Sequence, residues 1–212
     1  ALRAAIVDAA RRLCPLGLSA GTSGNISVRE GSSMLITPSA TPYDTLRPED
    51  IALMRLDGRD SSEGPLKPSS EWRFHRDILM ARPEINAIVH AHPPYATALA
   101  MARKPIPPAH YMVAAFGGSD VRVGDYALFG SQALSESALA ALRERTACLL
   151  ANHGIITLGE TLDKAMWRAV ELEVLAQHYT LSLAHGGPVL LGEDQISEVL
   201  QSFAEYTAQK CM

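Results

Sequence analysis

With 212 residues, 19 Lys and Arg against 23 Asp and Glu, and a formal net charge of -4, the chain is the size of one domain, residues 1–212, and has no basic excess to hold nucleic acid. No apolar run approaches the roughly 20 residues of a membrane span, and the first segment carries Asp8 and lacks the apolar centre of a signal peptide. The three cysteines, Cys14, Cys148 and Cys211, are too scattered and too odd in number for a disulfide framework or a thiolate zinc site, which points to a reducing compartment, the cytoplasm.

Leu2, Ile6, Ala9 and Leu13 share one helical face, and Gly17 is suited to a left-handed helix stop, so a first helix is expected to end near Leu16. "GTSGNIS", residues 21–27, follows. It reads either as a tight turn into a strand or as a loop whose N–H groups, with Thr22, Ser23 and Asn25, face an anion. "NISVR", "MLITP" and "IALMRL" read as strands of one sheet, divided by Gly31, by "TPYDTLRPED" and by the turn signal Asp57-Gly58.

"PSSEWRFHRDILMARP" predicts a helix of about three turns that closes at Pro83, with Ser69 or Ser70 as N-cap and Trp72, His75, Ile78 and Leu79 on or beside one stripe. Its N-terminus, with the two serines, is a second candidate anion site. Glu71 there is either a dipole-stabilising residue or, if the helix end faces a metal, a base. "INAIVHAH" and "ACLLANHGIITLG" read as buried strands that bring histidines to their ends. From Thr161 to His185 the apolar spacing of Leu162, Met166, Ala169, Val170, Val174 and Leu181 predicts the longest helix, broken by Gly186-Gly187-Pro188. "EDQISEVLQSFAEY" predicts a last amphipathic helix through Ile196, Val199, Leu200 and Phe203. Strands and helices interleave without repeats or linkers, which favours an α/β sandwich of one sheet covered by helices.

His90 and His92, two apart on a strand, point to the same face at roughly 7 Å along the chain, close enough to share a metal ion. A third ligand is required, and His153, at the end of another buried strand, is the candidate. Three imidazoles leave one tetrahedral position open, as catalytic rather than structural sites do. His75, His110, His178 and His185 have no partner at ligand spacing and read as core, surface or capping residues. The two anion loops suggest a phosphorylated ligand. Neither is a Walker loop or a dinucleotide GxGxxG.

Taken in order and spacing, "GTSGNISVR", "LITPS", "PSSEWRFH", "IVHAH", "PAHYMVAAFGG", "LLANHG" and "AMWRAVELEVLAQ" resemble the class II aldolase/adducin family nearly end to end, most closely its fuculose-phosphate branch. The resemblance implies a three-layer αβα sandwich with a central, largely antiparallel sheet, assembled as a homotetramer with active sites at subunit interfaces. It implies one Zn²⁺ per subunit held by His90, His92 and His153, with Glu71 as a fourth ligand that moves off to act as base. Thr22, Asn25, Thr37, Ser69 and Ser70 would contact phosphate. Tyr111 would be presented by a neighbouring subunit as a proton donor or acceptor for the aldehyde, and Phe129, Phe203 and Tyr206 would surround that aldehyde. "TPSA" departs from the branch's "TPTG" at Ala40, and Ala91 stands where the branch has asparagine.

The activity implied is reversible cleavage of a ketose 1-phosphate, of the L-fuculose, 5-deoxyribulose or 5-(methylthio)ribulose type, to dihydroxyacetone phosphate and a small aldehyde. The competing readings are a 3-oxo-tetronate 4-phosphate decarboxylase of the same superfamily and a non-catalytic, adducin-like oligomeric binding module. No nucleic-acid or membrane partner is expected.

Overall fold

The computed structural model describes residues 1–57 and 60–209; Gly58 of the expected turn and Cys211 lie outside them. Among the described residues eight strands form one sheet: β1 (Asn25–Glu30), β2 (Ser33–Ile36), β3 (Ala52–Arg55), β4 (Ser62–Glu63), β5 (Ala87–Ala91), β6 (Val123–Gly124), β7 (Ala147–Leu150) and β8 (Gly154–Gly159). Their order is β4-β3-β2-β1-β5-β8-β7-β6, and every pairing is antiparallel except that of β6 with β7. The sheet is therefore central and mostly antiparallel, as expected.

Helices cover both faces. Against one lie α1 (Leu2–Leu13), α3 (Pro94–Met101) and α5 (Leu162–Leu183), in a core with Ile26, Val28, Ala87, Val89, Ala91 and Ile155. Against the other lie α2 (Trp72–Ala81) and α4 (Gln132–Ala141), whose Phe74, Ile78, Leu79, Leu134 and Ala138 pack on Ile88, Ile156 and Leu158. Alternation along β5 thus sends Ala87, Val89 and Ala91 one way and Ile88 the other, and His90 shares the face of Ile88. Each fully buried Leu, Ile or Phe contributes about 1.5–3 kcal/mol of transfer free energy, so these two layers hold the centre of the sheet rigidly. A final helix, α6 (Glu193–Gln209), packs against a 3-10 helix, Tyr111–Phe116. Among the described residues no helix is long and apolar enough to cross a membrane.

Three sequence expectations are corrected. The first helix stops at Leu13 rather than near Leu16, because Pro15 has no N–H to continue the ladder; Gly17 does take the left-handed conformation, φ +69°, in the turn that follows. The helix at "SSEWRF" is N-capped by Glu71, not by a serine. Ser69 stays extended because its N–H donates to the Thr37 carbonyl and Ser39 N–H donates to the Lys67 carbonyl, which pins the segment to the end of β2. Finally, "ACLLANHGIITLG" is a hairpin of two strands. Asn152, at φ +54°, supplies the left-handed turn residue between β7 and β8. The prolines after His92 both end β5 and open α3, since Pro94 fits a first helical turn where no N–H is needed.

Candidate metal centre and substrate cavity

His90 is fully buried in β5, opposite Asn25 of β1 and Ile156 of β8. Its Nδ1–H donates to the Ile155 carbonyl at 2.8 Å, which fixes the tautomer and leaves the Nε2 lone pair facing the helix layer. His92 lies just past the strand, held by its N–H to the Leu18 carbonyl at 2.9 Å, and its Nε2 is 3.0 Å from His90 Nε2. His153 arrives from the β7–β8 turn. Ligand nitrogens of the three rings lie within 4.8 Å of one another.

Glu71, at the mouth of α2, closes the cluster. One carboxylate oxygen, Oε2, is 3.1 Å from His90 Nε2 and accepts Asn25 Nδ2–H at 3.0 Å. The other, Oε1, is 3.3 Å from His153 Nε2 and is a buried oxygen with no hydrogen bond. An orphaned carboxylate oxygen beside a cluster of three imidazoles is the donor set of a divalent cation. These residues fit a metal.

Burial and repulsion from the other imidazoles push His92 down to about 3 and His153 down to about 4, so both are neutral and ready to donate lone pairs. Burial works against ionised Glu71, but His90, His153 and Asn25 outweigh it and hold the carboxyl well below the usual carboxylate range. Burial also lowers His90, yet the Glu71 charge, the hydrogen bond to it and the Ile155 carbonyl prevail and raise it.

A cavity of about 380 Å³ opens above Glu71, His92 and His153. One wall is polar: Thr22, Ser23, Gly24 and Asn25 of the "GTSGNIS" loop, with Ser39, Ser69 and Ser70. The tight-turn and ligand-facing readings of that loop thus coexist, for Gly21 and Gly24 have φ +62° and +85° while the residues between them line the cavity. The lining also has an apolar and aromatic part, formed by Tyr126, Ala127 and Phe129. Gly130 keeps it in place: it has φ +70° and lies so close to the Ser70 carbonyl that a Cβ would sit 2.5 Å from that oxygen. Ala40, in the polar wall, holds φ +51°, a backbone conformation that glycine takes at less cost.

Of the residues singled out from the sequence, Glu71, His90, His92 and His153 meet at the cavity floor, and Thr22, Asn25, Ser69, Ser70 and Phe129 line its walls. Thr37 does not line it. That residue is fully buried behind the polar wall, where its hydroxyl accepts Ile26 N–H at 3.1 Å and its carbonyl accepts Ser69 N–H. Tyr111, Phe203 and Tyr206 gather in a separate cleft between the 3-10 helix and α6, with the Tyr111 and Phe203 rings 6.4 Å apart. Sequence reasoning missed Ser39, Tyr126 and Asn152 in the lining and, behind it, His75, which contacts Asn25 and Ser27. The available signal for His75 was its place one helical turn after Glu71.

The chain matches the family described as "Class II Aldolase and Adducin N-terminal domain" over residues 4–180. It is 50% identical over 206 residues, 97% of this chain and 92% of the other, to a 5-methylthioribulose-1-phosphate/5-deoxyribulose-1-phosphate aldolase of Rhodospirillum rubrum. With an L-fuculose phosphate aldolase of Escherichia coli K12 it shares 44% identity over 202 residues, 95% of this chain and 93% of the other. A solved structure of an L-fuculose 1-phosphate aldolase superposes with a TM-score of 0.91 at 37% identity, covering 95% of each chain.

Because His90 is held protonated more readily than a free imidazole, a cation must displace that proton to bind. Protonation wins as pH falls through the raised value. A Co²⁺ titration from about pH 8 to about pH 5 should therefore show unchanged stoichiometry at the upper end and an affinity that falls about tenfold per pH unit once His90 is protonated. An affinity independent of pH over that range contradicts the assignment of His90 as a ligand.

Proposed function

We propose, on the premise that this chain belongs to the class II aldolase and adducin family, that it is a metal-dependent lyase cleaving a ketose 1-phosphate reversibly to dihydroxyacetone phosphate and a small aldehyde. The observation that carries this reading is the junction of His90, His92, His153 and Glu71 at the floor of a cavity with one hydroxyl-rich wall and one apolar wall. We assign Zn²⁺ as the cation, since three imidazoles with a single carboxylate suit it.

His90, His92 and His153 would hold the ion through ring nitrogens, with Glu71 as a fourth donor at rest. When bound, it supplies Lewis acidity toward the C2 carbonyl and C3 hydroxyl oxygens of the ketose, stabilising the negative charge that develops as the C3–C4 bond breaks. Every other task falls to the chain. Thr22, Asn25, Ser69 and Ser70 orient the phosphate end with hydroxyls and N–H groups, while Thr37 braces Ser69 from behind. No lysine or arginine is among the described lining residues, so an anion there is held by dipoles rather than by a side-chain cation.

Cleavage requires that the C4 hydroxyl lose a proton and that C3 gain one. In condensation the ionised Glu71 carboxylate takes the proton from C3 of dihydroxyacetone phosphate; in cleavage the same carboxyl, having taken a proton from solvent, turns to C3 and returns it. Tyr111 serves the C4 hydroxyl from a second copy of the chain. Its ring is half exposed and does not line the metal cavity of its own chain, so an interface must bring it there, and we place the chain in a homotetramer with interfacial sites. Phe203 and Tyr206, beside Tyr111, would arrive with it and meet Phe129 around the aldehyde. That apolar surrounding favours the 5-deoxyribulose and 5-(methylthio)ribulose 1-phosphates over a more hydroxylated tail. We assign one such domain across residues 1–212 and the cytoplasm as its compartment.

The test is a panel of the three ketose 1-phosphates and a 3-oxo-tetronate 4-phosphate with zinc-loaded protein. Dihydroxyacetone phosphate should appear from the ketose phosphates. Release of CO₂ from the tetronate alone would select the decarboxylase, and a protein that takes up no metal and ignores phosphate would be a binding module. Glu71→Gln should keep metal and phosphate binding while proton exchange at C3 of dihydroxyacetone phosphate falls about 10²- to 10⁴-fold. Retained exchange removes Glu71 from that role. Tyr111→Phe should leave exchange within about threefold of the parent but slow cleavage about 10²-fold; equal loss of both reactions assigns Tyr111 to structure.

A further inference from the structure

His75 plays no part in the reaction as described, yet it is fully buried in α2, stacked on Phe74 with ring centroids 4.5 Å apart, and lies in a chain of three contacts that ends at the site. Ser27 Oγ is 2.7 Å from its Nδ1. Its Nε2 is 2.5 Å from Asn25 Oδ1. Asn25 Nδ2 is 3.0 Å from Glu71 Oε2. We propose that His75 is a positioning residue for Glu71: its Nε2–H locks the Asn25 amide with the NH₂ group toward the carboxylate, and so fixes the orientation of the proton-carrying group.

Donor and acceptor polarity decides the direction of this chain. A serine hydroxyl, a neutral imidazole and an amide can each be turned round, so no contact in the chain has a direction by itself. An ionised carboxylate only accepts. Asn25 must therefore present Nδ2 to Glu71, which leaves Oδ1 for His75, so Nε2 must bear the hydrogen, and Nδ1 accepts from the Ser27 hydroxyl. The flipped chain would satisfy Ser27, His75 and Asn25 equally well. It fails only at Glu71, where it sets an amide oxygen 3.0 Å from a carboxylate oxygen with no proton between them. Burial pushes His75 down to about 3, with repulsion from His90 adding to it, which keeps the ring in the neutral, one-hydrogen form that this relay needs.

Two rigid elements carry the relay. Ser27 and Asn25 are two apart on β1 and face α2 together, each tied into the ladder with β5, Asn25 opposite His90 and Ser27 opposite Ile88. Glu71 and His75 sit one turn apart at the start of α2. A carboxylate that must both rest among the metal ligands and turn to C3 gains from an anchor that defines one oxygen, Oε2, as the fixed end.

The proposal rests on Glu71 as the proton carrier, and the experiment separates the two claims. In ¹⁵N-histidine NMR spectra, His75 should appear as the Nε2–H tautomer; an Nδ1–H tautomer overturns the proposal without any variant. His75→Leu should lower kcat for C3 proton exchange of dihydroxyacetone phosphate about 10- to 100-fold, leave KM within about threefold, and shift the visible bands of the Co²⁺-loaded protein, as loss of a group that orients a ligand does. His75→Gln, which can donate to Asn25 and accept from Ser27, should recover exchange to within about fivefold. A folded His75→Leu with the parent's rate and spectrum, or a His75→Gln as impaired as His75→Leu, refutes it. Should the leucine variant not fold, Ser27→Ala removes the hydrogen-bond partner of His75 Nδ1 and should cost about three- to tenfold in the same kcat; parental exchange in that variant refutes the relay. Absence of C3 exchange in the parent would instead sink the reading of Glu71.

Discussion

An ionised carboxylate and three imidazoles are packed together where water barely reaches, and the rest of the site follows from how that charge is satisfied. Removing a carboxylate from water costs several kcal/mol even after relaxation, and here Asn25 returns only one neutral hydrogen bond. The arrangement is consequently selective for positive charge. It presents an anion, an orphaned oxygen and two imidazoles that burial keeps neutral. A phosphate could not rest on such a floor, which is why the hydroxyl and N–H groups that suit one lie on the side wall instead.

That floor depends on two places where side chains are missing. A Cβ at Gly154 would stand 2.4 Å from the Ala91 carbonyl and 2.5 Å from His92 Cδ2, and one at Gly24 would stand 2.7 Å from the His90 carbonyl. Two loops, one leading into β1 and one turning between β7 and β8, thus close on the end of β5 from either side. The antiparallel ladder supplies the remainder, since β5 lies between β1 and β8 and each delivers a polar residue to it: Asn25 from β1, and His153 from the turn that precedes β8.

How much of this could be read in the sequence depended on whether the relevant geometry was local. The spacing of His90 and His92 is a property of an extended strand, and it survives intact although the strand ends at Ala91, one residue before the second ligand. Glu71 and the serines were visible as a helix start, but the cap was placed one or two residues early because the pairing of Ser69 with Thr37 is a contact between distant segments. Thr37 stands behind the cavity wall for the same reason, its hydroxyl accepting Ile26 N–H from the neighbouring strand. The hairpin around Asn152 reads as one strand in the sequence because a continuous apolar run hides a turn made by a single left-handed residue. His75 had no nearby partner in sequence, and its partners, Ser27 and Asn25, become neighbours only when β1 lies beneath α2.

The two proton carriers of the proposed reaction occupy contrasting settings, and the contrast has a chemical rationale. Glu71 is buried at the junction of a strand layer and a helix, tethered through Oε2 to Asn25 Nδ2–H. Tyr111 is half exposed on a short 3-10 segment. A carbon acid demands close control, because proton transfer at C3 must coincide with polarisation of the neighbouring carbonyl, whereas a hydroxyl exchanges its proton readily with any group of suitable reach. In the proposed reaction, placing the first task in the core and the second on a surface that a neighbouring copy would complete would let the buried part of the cavity hold the ketose phosphate while the exposed part, around Tyr126 and Phe129, would set which aldehyde is accepted.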